Sequence, residues 1–164
     1  MESATKQAVV EALMRLLNKK SLDDISISEF AKEAGISRMT FYRNYQVKED
    51  VFLDHFKSVL EDYKRDNGEH YGEGEFNDRK NIVHCFEYFA KHKQFLEAVL
   101  KSGYYYTFLA IVDNYVMETW LKPGDGVEKE YRLHAFAGAL FNVYICWVTN
   151  GYKETPEEIA DILQ

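Results

Sequence analysis

The sequence contains little proline or cysteine and no long hydrophobic run. Two prolines, Pro123 and Pro156, leave most of the 164 residues free to form uninterrupted helices. The longest apolar stretch, residues 135–148, is broken by Gly138 and Asn142, so it falls short of the about 20 apolar residues that span a membrane. The N-terminus lacks a basic-then-apolar signal pattern. We therefore expect a cytoplasmic protein without a membrane partner.

The two cysteines, Cys85 and Cys146, lie in apolar helical contexts. A redox pair or a metal site would be the functional interpretation, but free cysteines are more often buried small hydrophobic residues, and we favour that interpretation. The five histidines show no metal-ligand spacing with either cysteine. No paired nucleophile and base and no phosphate-binding loop is evident. We therefore predict neither a metal nor a cofactor, and no enzymatic activity.

Charge and aromatic residues are distributed unevenly. The net charge is −7, which argues against a nonspecific nucleic-acid binder, yet residues 1–48 carry eight Lys/Arg and six Asp/Glu and are net +2. Only four of the 25 aromatic residues precede residue 49. We predict a mildly basic domain over residues 1–48 and a larger acidic, aromatic-rich domain over residues 49–164.

Helical spacing of apolar residues dominates and strand signals are almost absent, so we predict an all-α fold with about nine helices. Glycine-rich residues 68–78 are the clearest predicted linker. The expected helices span about residues 3–18, 26–34, 38–44, 47–65, 78–92, 94–101, 103–121, 127–150 and, after a Thr155 cap followed by Pro156, the C-terminus.

Two short helices joined by a tight turn are expected within residues 26–45. Ser26 and Glu29 match a capping box, in which the Ser26 hydroxyl accepts from the Glu29 amide and the Glu29 side chain returns to the Ser26 amide. Gly35 is expected to end the first helix in a left-handed conformation, and Ser37 to cap the second. The spacing predicts a helix-turn-helix.

The second of these helices presents polar residues suited to DNA. Arginine can read guanine and asparagine can read adenine in the major groove, whereas Tyr and Thr hydroxyls more often contact phosphates. On spacing alone, an ordinary helical hairpin with solvated polar residues is the alternative. The polar positions are Arg38, Thr40, Tyr42, Arg43 and Asn44.

The run Ile27-Ser-Glu-Phe-Ala-Lys-Glu-Ala-Gly-Ile-Ser-Arg-Met-Thr-Phe-Tyr-Arg-Asn-Tyr45, followed by Lys48-Glu-Asp-Val-Phe52, resembles the N-terminal signature of TetR-family repressors. The resemblance extends over about residues 8–56. It implies a three-helix DNA-binding domain in which Ser26, Ser37, Tyr42 and Lys48 hold phosphates while Arg38, Met39, Thr40 and Arg43 face the bases. Val47 departs from the family's usual Ser or Asn cap, so another group must cap the fourth helix. The arm before Val9 offers only Lys6 as a base.

The C-terminal part resembles the short C-terminal domains of some Gram-positive members of this family. That resemblance implies a cavity for a small-molecule effector, with an aromatic lining for which the candidates are Phe86, Phe89, Tyr104, Tyr105, Tyr106, Phe108, Tyr115 and Trp120. It also implies a four-helix homodimer interface, for which the candidates are Gly138, Phe141, Asn142, Ile145, Thr149, Ile159, Ile162 and Leu163. Plain core aromatics and a buried helix in a monomer are the respective alternatives.

The resulting expectation is a sequence-specific, homodimeric transcriptional repressor that reads a palindromic double-stranded operator and is relieved by an effector. Two alternatives belong to other classes of protein. One is a helix-turn-helix-like interaction protein that binds a protein partner, which the modest charge of +2 allows. The other is an all-helical enzyme using the local cluster His84, Cys85 and Glu87, in which Cys85 faces away from the other two.

Overall fold

The computed structural model describes residues 3–71, 74–101 and 103–164, which form nine α-helices and no strand. The all-α prediction is confirmed. In the described ranges, no helix has both the length and the apolar character needed to cross a membrane. The helices are α1 (Ser3–Leu17), α2 (Ile27–Glu33), α3 (Arg38–Asn44), α4 (Glu49–Tyr71), α5 (Arg79–Ala90), α6 (Lys93–Lys101), α7 (Tyr105–Trp120), α8 (Val127–Thr149) and α9 (Pro156–Leu163).

The chain forms two compact units. The first unit comprises residues 1–59 and 94–103, and the second comprises residues 60–93 and 104–164. Helix α4 therefore contributes residues to both units. Most of α6 belongs to the first unit, although it follows α5 in sequence.

The first unit has an aromatic core beneath α3. Phe30 of α2 and Phe41 of α3 are fully buried, with ring centroids 5.4 Å apart in an edge-to-face arrangement. The apolar residues of α1 recur at helical spacing, and this period places them together on the buried face of the helix. Phe95 of α6 adds a further ring, whose centroid lies 4.5 Å from that of His55. The buried residues of α1 are Val9, Ala12, Leu13 and Leu16.

The second unit contains two hydrophobic clusters. In one, Phe86 of α5 meets Trp147 of α8, with their centroids 5.4 Å apart, and α9 adds Ile159. In the other, Val116 of α7 packs with Leu133 and Ala137 of α8. The long apolar helix α8 serves both clusters, which explains why its sequence is apolar on more than one face.

The predicted end of the fourth helix near residue 65 and the predicted loop from Gly68 are wrong, because α4 continues to Tyr71. Tyr63 and Asn67 are four residues apart on one face and are both buried. Burial of this face outweighs the roughly 1 kcal/mol that a glycine costs inside a helix. Residues 72 and 73 of the predicted loop lie outside the described residues, and its last part, residues 74–78, is non-helical.

The predicted caps are confirmed in most details. Gly35 ends α2 with φ +68°, its amide donating to the Lys32 carbonyl while the Ile36 amide donates to the Ala31 carbonyl. Thr155 caps α9 as predicted, and together with Glu158 it forms a reciprocal capping box. The Ser26 hydroxyl accepts from the Glu29 amide as predicted. The Glu29 carboxylate, however, accepts from Lys20 Nζ at 2.6 Å, because an ammonium is a stronger partner than the Ser26 amide.

Replacement of Gly35 by alanine is expected to destabilise the protein by about 1–2 kcal/mol, because a Cβ at positive φ is strained even though nothing lies within 4 Å of it. Urea denaturation measures this change. Gly68→Ala is the matched control: it lies inside α4, also has nothing within 4 Å, and should stabilise by up to about 1 kcal/mol. Equal effects of the two substitutions would contradict the assignment of Gly35 as a left-handed helix end.

Candidate nucleic-acid interface

Helix α3 is fixed at both ends by the side chains of the two residues that flank it. At its start, Ser37 Oγ accepts from the Thr40 amide at 3.0 Å and lies 2.9 Å from Thr40 Oγ1. At its end, the Tyr45 hydroxyl donates to Asp54 Oδ2 at 2.9 Å. The pKa of Tyr45 is raised mainly by burial of its hydroxyl and, to a smaller extent, by the hydrogen bond to Asp54. The observed bounds of α3 equal the predicted ones, and its only buried residue is Phe41.

The outward face of α3 carries four exposed residues. Met39 and Tyr42 are 81% and 50% exposed, and Arg38 and Arg43 are exposed as well. At about 100° per residue, their order around the helix is Arg38, Tyr42, Met39, Arg43, over an arc of roughly 140°. Thr40 is half-buried and its hydroxyl is engaged at the cap. The outward face of α3 therefore has Tyr42 and Met39 at its centre, with an arginine on either side.

The two arginines of α3 differ from the other four in the chain. Arg15 pairs with Glu33, Arg65 with Asp62, Arg79 with Asp161 and Arg132 with Glu128, at N–O distances between 2.6 and 3.1 Å. Hydrogen bonds from the arginines hold the pKa values of Glu33 and Asp161 below their usual range. Within the described parts of the chain, neither Arg38 nor Arg43 forms an ion pair. Their guanidinium groups thus retain all their donors for an external partner.

Two further residues expected to hold phosphates have internal roles. Ser26 is exposed but acts as the N-cap of α2. Lys48 is half-buried, and its ammonium donates to the carbonyls of Ile25 at 2.8 Å and Asp23 at 3.1 Å. Two of its three donors are therefore used to tie the start of α4 to the loop before α2.

Lys48→Met is expected to lower the free energy of unfolding by about 1–3 kcal/mol, since the carbonyls of Asp23 and Ile25 lose a charged donor and the contact with Ile25 is partly buried. Urea denaturation without DNA measures this. Lys57→Met, on an exposed position of α4, removes the same charge and should change stability by less than about 0.5 kcal/mol. Unchanged stability of the Lys48 variant would refute the internal role.

Val47 has no side-chain acceptor for the first amides of α4, and the side-chain hydrogen bonds at this end of the helix come from Asp50, which accepts from the amides just before it. Asp50 Oδ2 accepts from the Gln46 amide at 2.8 Å and from the Val47 amide at 3.0 Å. A carboxylate in the first turn also suits the positive end of the helix dipole. Lys6, the base of the N-terminal arm, is paired with Asp54 at 2.9 Å.

The aromatic residues proposed to line an effector cavity lie in different places. Tyr104 and Tyr105 are 40% and 41% exposed at the start of α7, after Gly103 with its φ of +78°, and Tyr106 is 86% exposed. At this exposure Tyr106 does not line an enclosed cavity, whereas the lining role of Tyr104 and Tyr105 stays a prediction. Phe86 is fully buried against Trp147, while Tyr115 and Trp120 belong to the cluster around Val116. Phe89 and Phe108 are buried.

A residue outside that prediction joins part of this aromatic set. Tyr63 of α4 has its ring centroid 5.2 Å from those of Tyr88 and Phe89 and 5.8 Å from that of Tyr115. His84 Nε2, beside them, lies 2.9 Å from Asp66 Oδ2. The apolar period of α4 indicates that Tyr63 faces inward, but sequence alone does not identify its partners on α5 and α7.

Most residues proposed for the dimer interface lie on accessible parts of α8 and α9. Asn142 and Thr149 are exposed, and Ile162 is 69% exposed. The prediction fails for Ile159, which is 4% exposed because α9 turns that side chain into the core beside Trp147. The remaining candidates, Gly138, Phe141, Ile145 and Leu163, are half-buried, and nothing lies within 4 Å of a Cβ built on Gly138.

The cysteines are both free. Burial raises the pKa of the Cys85 thiol to about 12, which is the behaviour predicted for a core cysteine. Cys146 is exposed, so the prediction of a buried side chain is wrong there. It lies with Asn142 and Thr149 among the exposed residues of α8.

Two family models match the chain. One, described as bacterial regulatory proteins of the tetR family, matches residues 9–54, and the other, described as the C-terminal region of transcriptional regulators and belonging to a TetR group, matches residues 77–164. The second match alone covers more than half of the chain. The chain belongs to the TetR family of transcriptional regulators.

Individual relatives agree with this assignment. The HTH-type transcriptional regulator YxbF of Bacillus subtilis is 25% identical over 97% of this chain and 43% of its own length. An HTH-type transcriptional regulator of Staphylococcus aureus (strain USA300) is 30% identical over 35% of this chain and 37% of its own length. The chain thus spans less than half the length of these curated relatives.

Solved structures show the same fold. Lin0861 from Listeria innocua superposes with a TM-score of 0.82 and 14% identity, covering 98% of this chain and 87% of that one. A tetR-family transcriptional regulator from Streptomyces coelicolor gives 0.63 with 18% identity over 99% and 78%. The dihydroxyacetone kinase operon activator DhaS gives 0.61 with 16% identity over 97% and 91%.

Proposed function

We propose that this TetR-family protein binds a specific double-stranded DNA sequence by placing α3 in the major groove. The observation that carries the proposal is the pair of exposed arginines on α3. Among the residues that the structure describes, these two have no carboxylate partner, whereas the other four arginines each have one. Arginine donors match the O6 and N7 acceptors of guanine, and the major groove is wide enough for a helix. The Ser37 cap and the Phe41 anchor hold the helix rigid beforehand.

In the proposed complex, the remaining polar groups fix the register. The exposed Tyr42 hydroxyl and the hydroxyls of Ser26 and Ser37 hold phosphates, as hydroxyl groups commonly do. Lys48 uses its one remaining donor for a phosphate. Thr40, with its hydroxyl at the cap, faces the bases through its methyl group.

The proposed active form is a homodimer on a palindromic operator. A second copy would cover the accessible face of α8, where Gly138 permits close approach, together with the exposed Ile162 of α9. Two recognition helices then fall about 34–36 Å apart, one turn of DNA. Analytical ultracentrifugation of the wild type and of Ile145→Glu tests the proposed dimer. We expect the wild type to sediment as a dimer and the variant to dissociate, and a monomeric wild type would overturn the proposal.

We further propose that the protein represses transcription and is relieved by a small molecule bound in the second unit. Blocking a promoter requires only occupancy of the DNA, whereas activation also requires a contact with polymerase. The fold alone does not distinguish repression from activation, since DhaS, which shares it, is named an activator. An effector acts by binding more tightly to the conformation that has low DNA affinity. Its effect reaches the DNA-binding helices through α4, which contributes residues to both units.

The test is a gel shift with the DNA upstream of the protein's own gene. We expect salt-sensitive, sequence-selective retardation that competitor DNA of unrelated sequence does not remove. The alternative is a helix-turn-helix that binds a protein. It would be supported if no DNA were selectively retarded and if the wild type captured a protein partner that the Arg38→Ala, Arg43→Ala variant did not.

A further inference from the structure

The side chain of Met39 is an exposed apolar group at the centre of the proposed DNA-binding face. It is 81% exposed, although the surrounding residues of this face are polar or amphipathic. Met39 is the second residue of α3 after the Ser37 cap. Because the N-terminal residues of a recognition helix are those that contact base edges, Met39 occupies a position that reads sequence.

Methionine restricts which base it can face. Its thioether is at most a weak acceptor, so a base edge offering donors or acceptors beneath it would lose water without gaining a partner, at a cost in affinity. In the major groove, the one apolar feature of the four base pairs is the C5-methyl group of thymine. A flexible, polarizable side chain adapts well to such a methyl group.

We infer that the operator half-site contains a thymine whose C5-methyl group packs against Met39, with the guanine contacts of Arg38 and Arg43 on either side. This inference rests on the proposed function and adds a specificity-determining residue to it. The order Arg38, Tyr42, Met39, Arg43 around α3 places the apolar contact between the two arginines. Met39 is thus a reader of thymine, and its substitution changes base preference more than overall affinity.

The test combines a base change and a side-chain change. A binding site is first selected from a randomised duplex pool with the full chain, and each thymine in it is then replaced, one at a time, by 2′-deoxyuridine, which lacks only the methyl group. Fluorescence anisotropy gives the Kd of wild type, Met39→Ala and Met39→Leu. Val127→Ala, which truncates a 63% exposed apolar residue of α8, is the matched control.

One thymine per half-site is expected to weaken binding by wild type about fourfold when its methyl group is removed, and about fifteenfold when both half-sites are changed. The same replacement should leave Met39→Ala unaffected, while Met39→Leu and Val127→Ala behave as wild type. A selected site in which no deoxyuridine replacement matters, or in which it matters equally for Met39→Ala, overturns the thymine contact alone. Failure to select any site overturns the proposed function as well.

Discussion

Simultaneous replacement of Arg38 and Arg43 by alanine is expected to weaken specific DNA binding by at least about 100-fold. Each bidentate arginine–guanine contact contributes about 1–3 kcal/mol, and a dimer carries two copies of each arginine. The free protein should fold normally, because both side chains are exposed and neither forms an ion pair within the described residues. Anisotropy with a selected operator measures the loss, and the salt dependence of Kd should become shallower.

The matched control is Arg65→Ala together with Arg132→Ala. This pair changes the net charge by the same amount, but both arginines lie in the second unit and are already paired with carboxylates. Binding by the control should stay within about threefold of wild type, since only long-range charge is altered. Equal losses in both double variants would mean that overall charge, and not the face of α3, determines binding.

Phe41→Ala is expected to have the largest effect on stability, destabilising the first unit by about 3–5 kcal/mol. Phe41 is fully buried, is the only buried residue of α3, and contacts the rings of Phe30 and Tyr45 at centroid distances of 5.4 and 5.7 Å. A loss of that size is a large part of the 5–15 kcal/mol typical of a domain. Urea denaturation followed by circular dichroism measures it, and DNA binding should fall in parallel.

Tyr106→Ala serves as the control for Phe41→Ala, because it removes an aromatic ring that is 86% exposed. Its effect should remain within about 0.5 kcal/mol. A cost of less than about 1 kcal/mol for Phe41→Ala would show that Phe41 does not hold α3 rigidly against the first unit.

The two helices of the helix-turn-helix are predictable from sequence because the signals that begin and end them are local. Ser37 precedes an apolar pattern, Gly35 follows one, and both act within four residues of their own position. The exception at Glu29 has a tertiary cause: Lys20, nine residues earlier, reaches its carboxylate. Likewise, the donors of Lys48 go to carbonyls more than 20 residues away, which no local pattern indicates.

The second unit is less predictable because its arrangement depends on packing between distant helices. Gly68 marks a linker by composition, yet α4 continues through it because Tyr63 and Asn67 are buried. An aromatic side chain at helical spacing suits a cavity wall, a core or an exposed turn equally well. The three consecutive tyrosines 104–106 and the core residue Phe86 illustrate the difference, which only the neighbouring helices decide.

The most direct measurement of the central claim is the selection of DNA from a randomised duplex pool by the purified full chain. We predict enrichment of a two-fold symmetric sequence with half-sites about 10 base pairs apart, containing guanines, and no enrichment by the Arg38→Ala, Arg43→Ala variant. A pool that remains random after repeated rounds with wild type, or the same enrichment by that variant, would contradict the claim that α3 reads DNA.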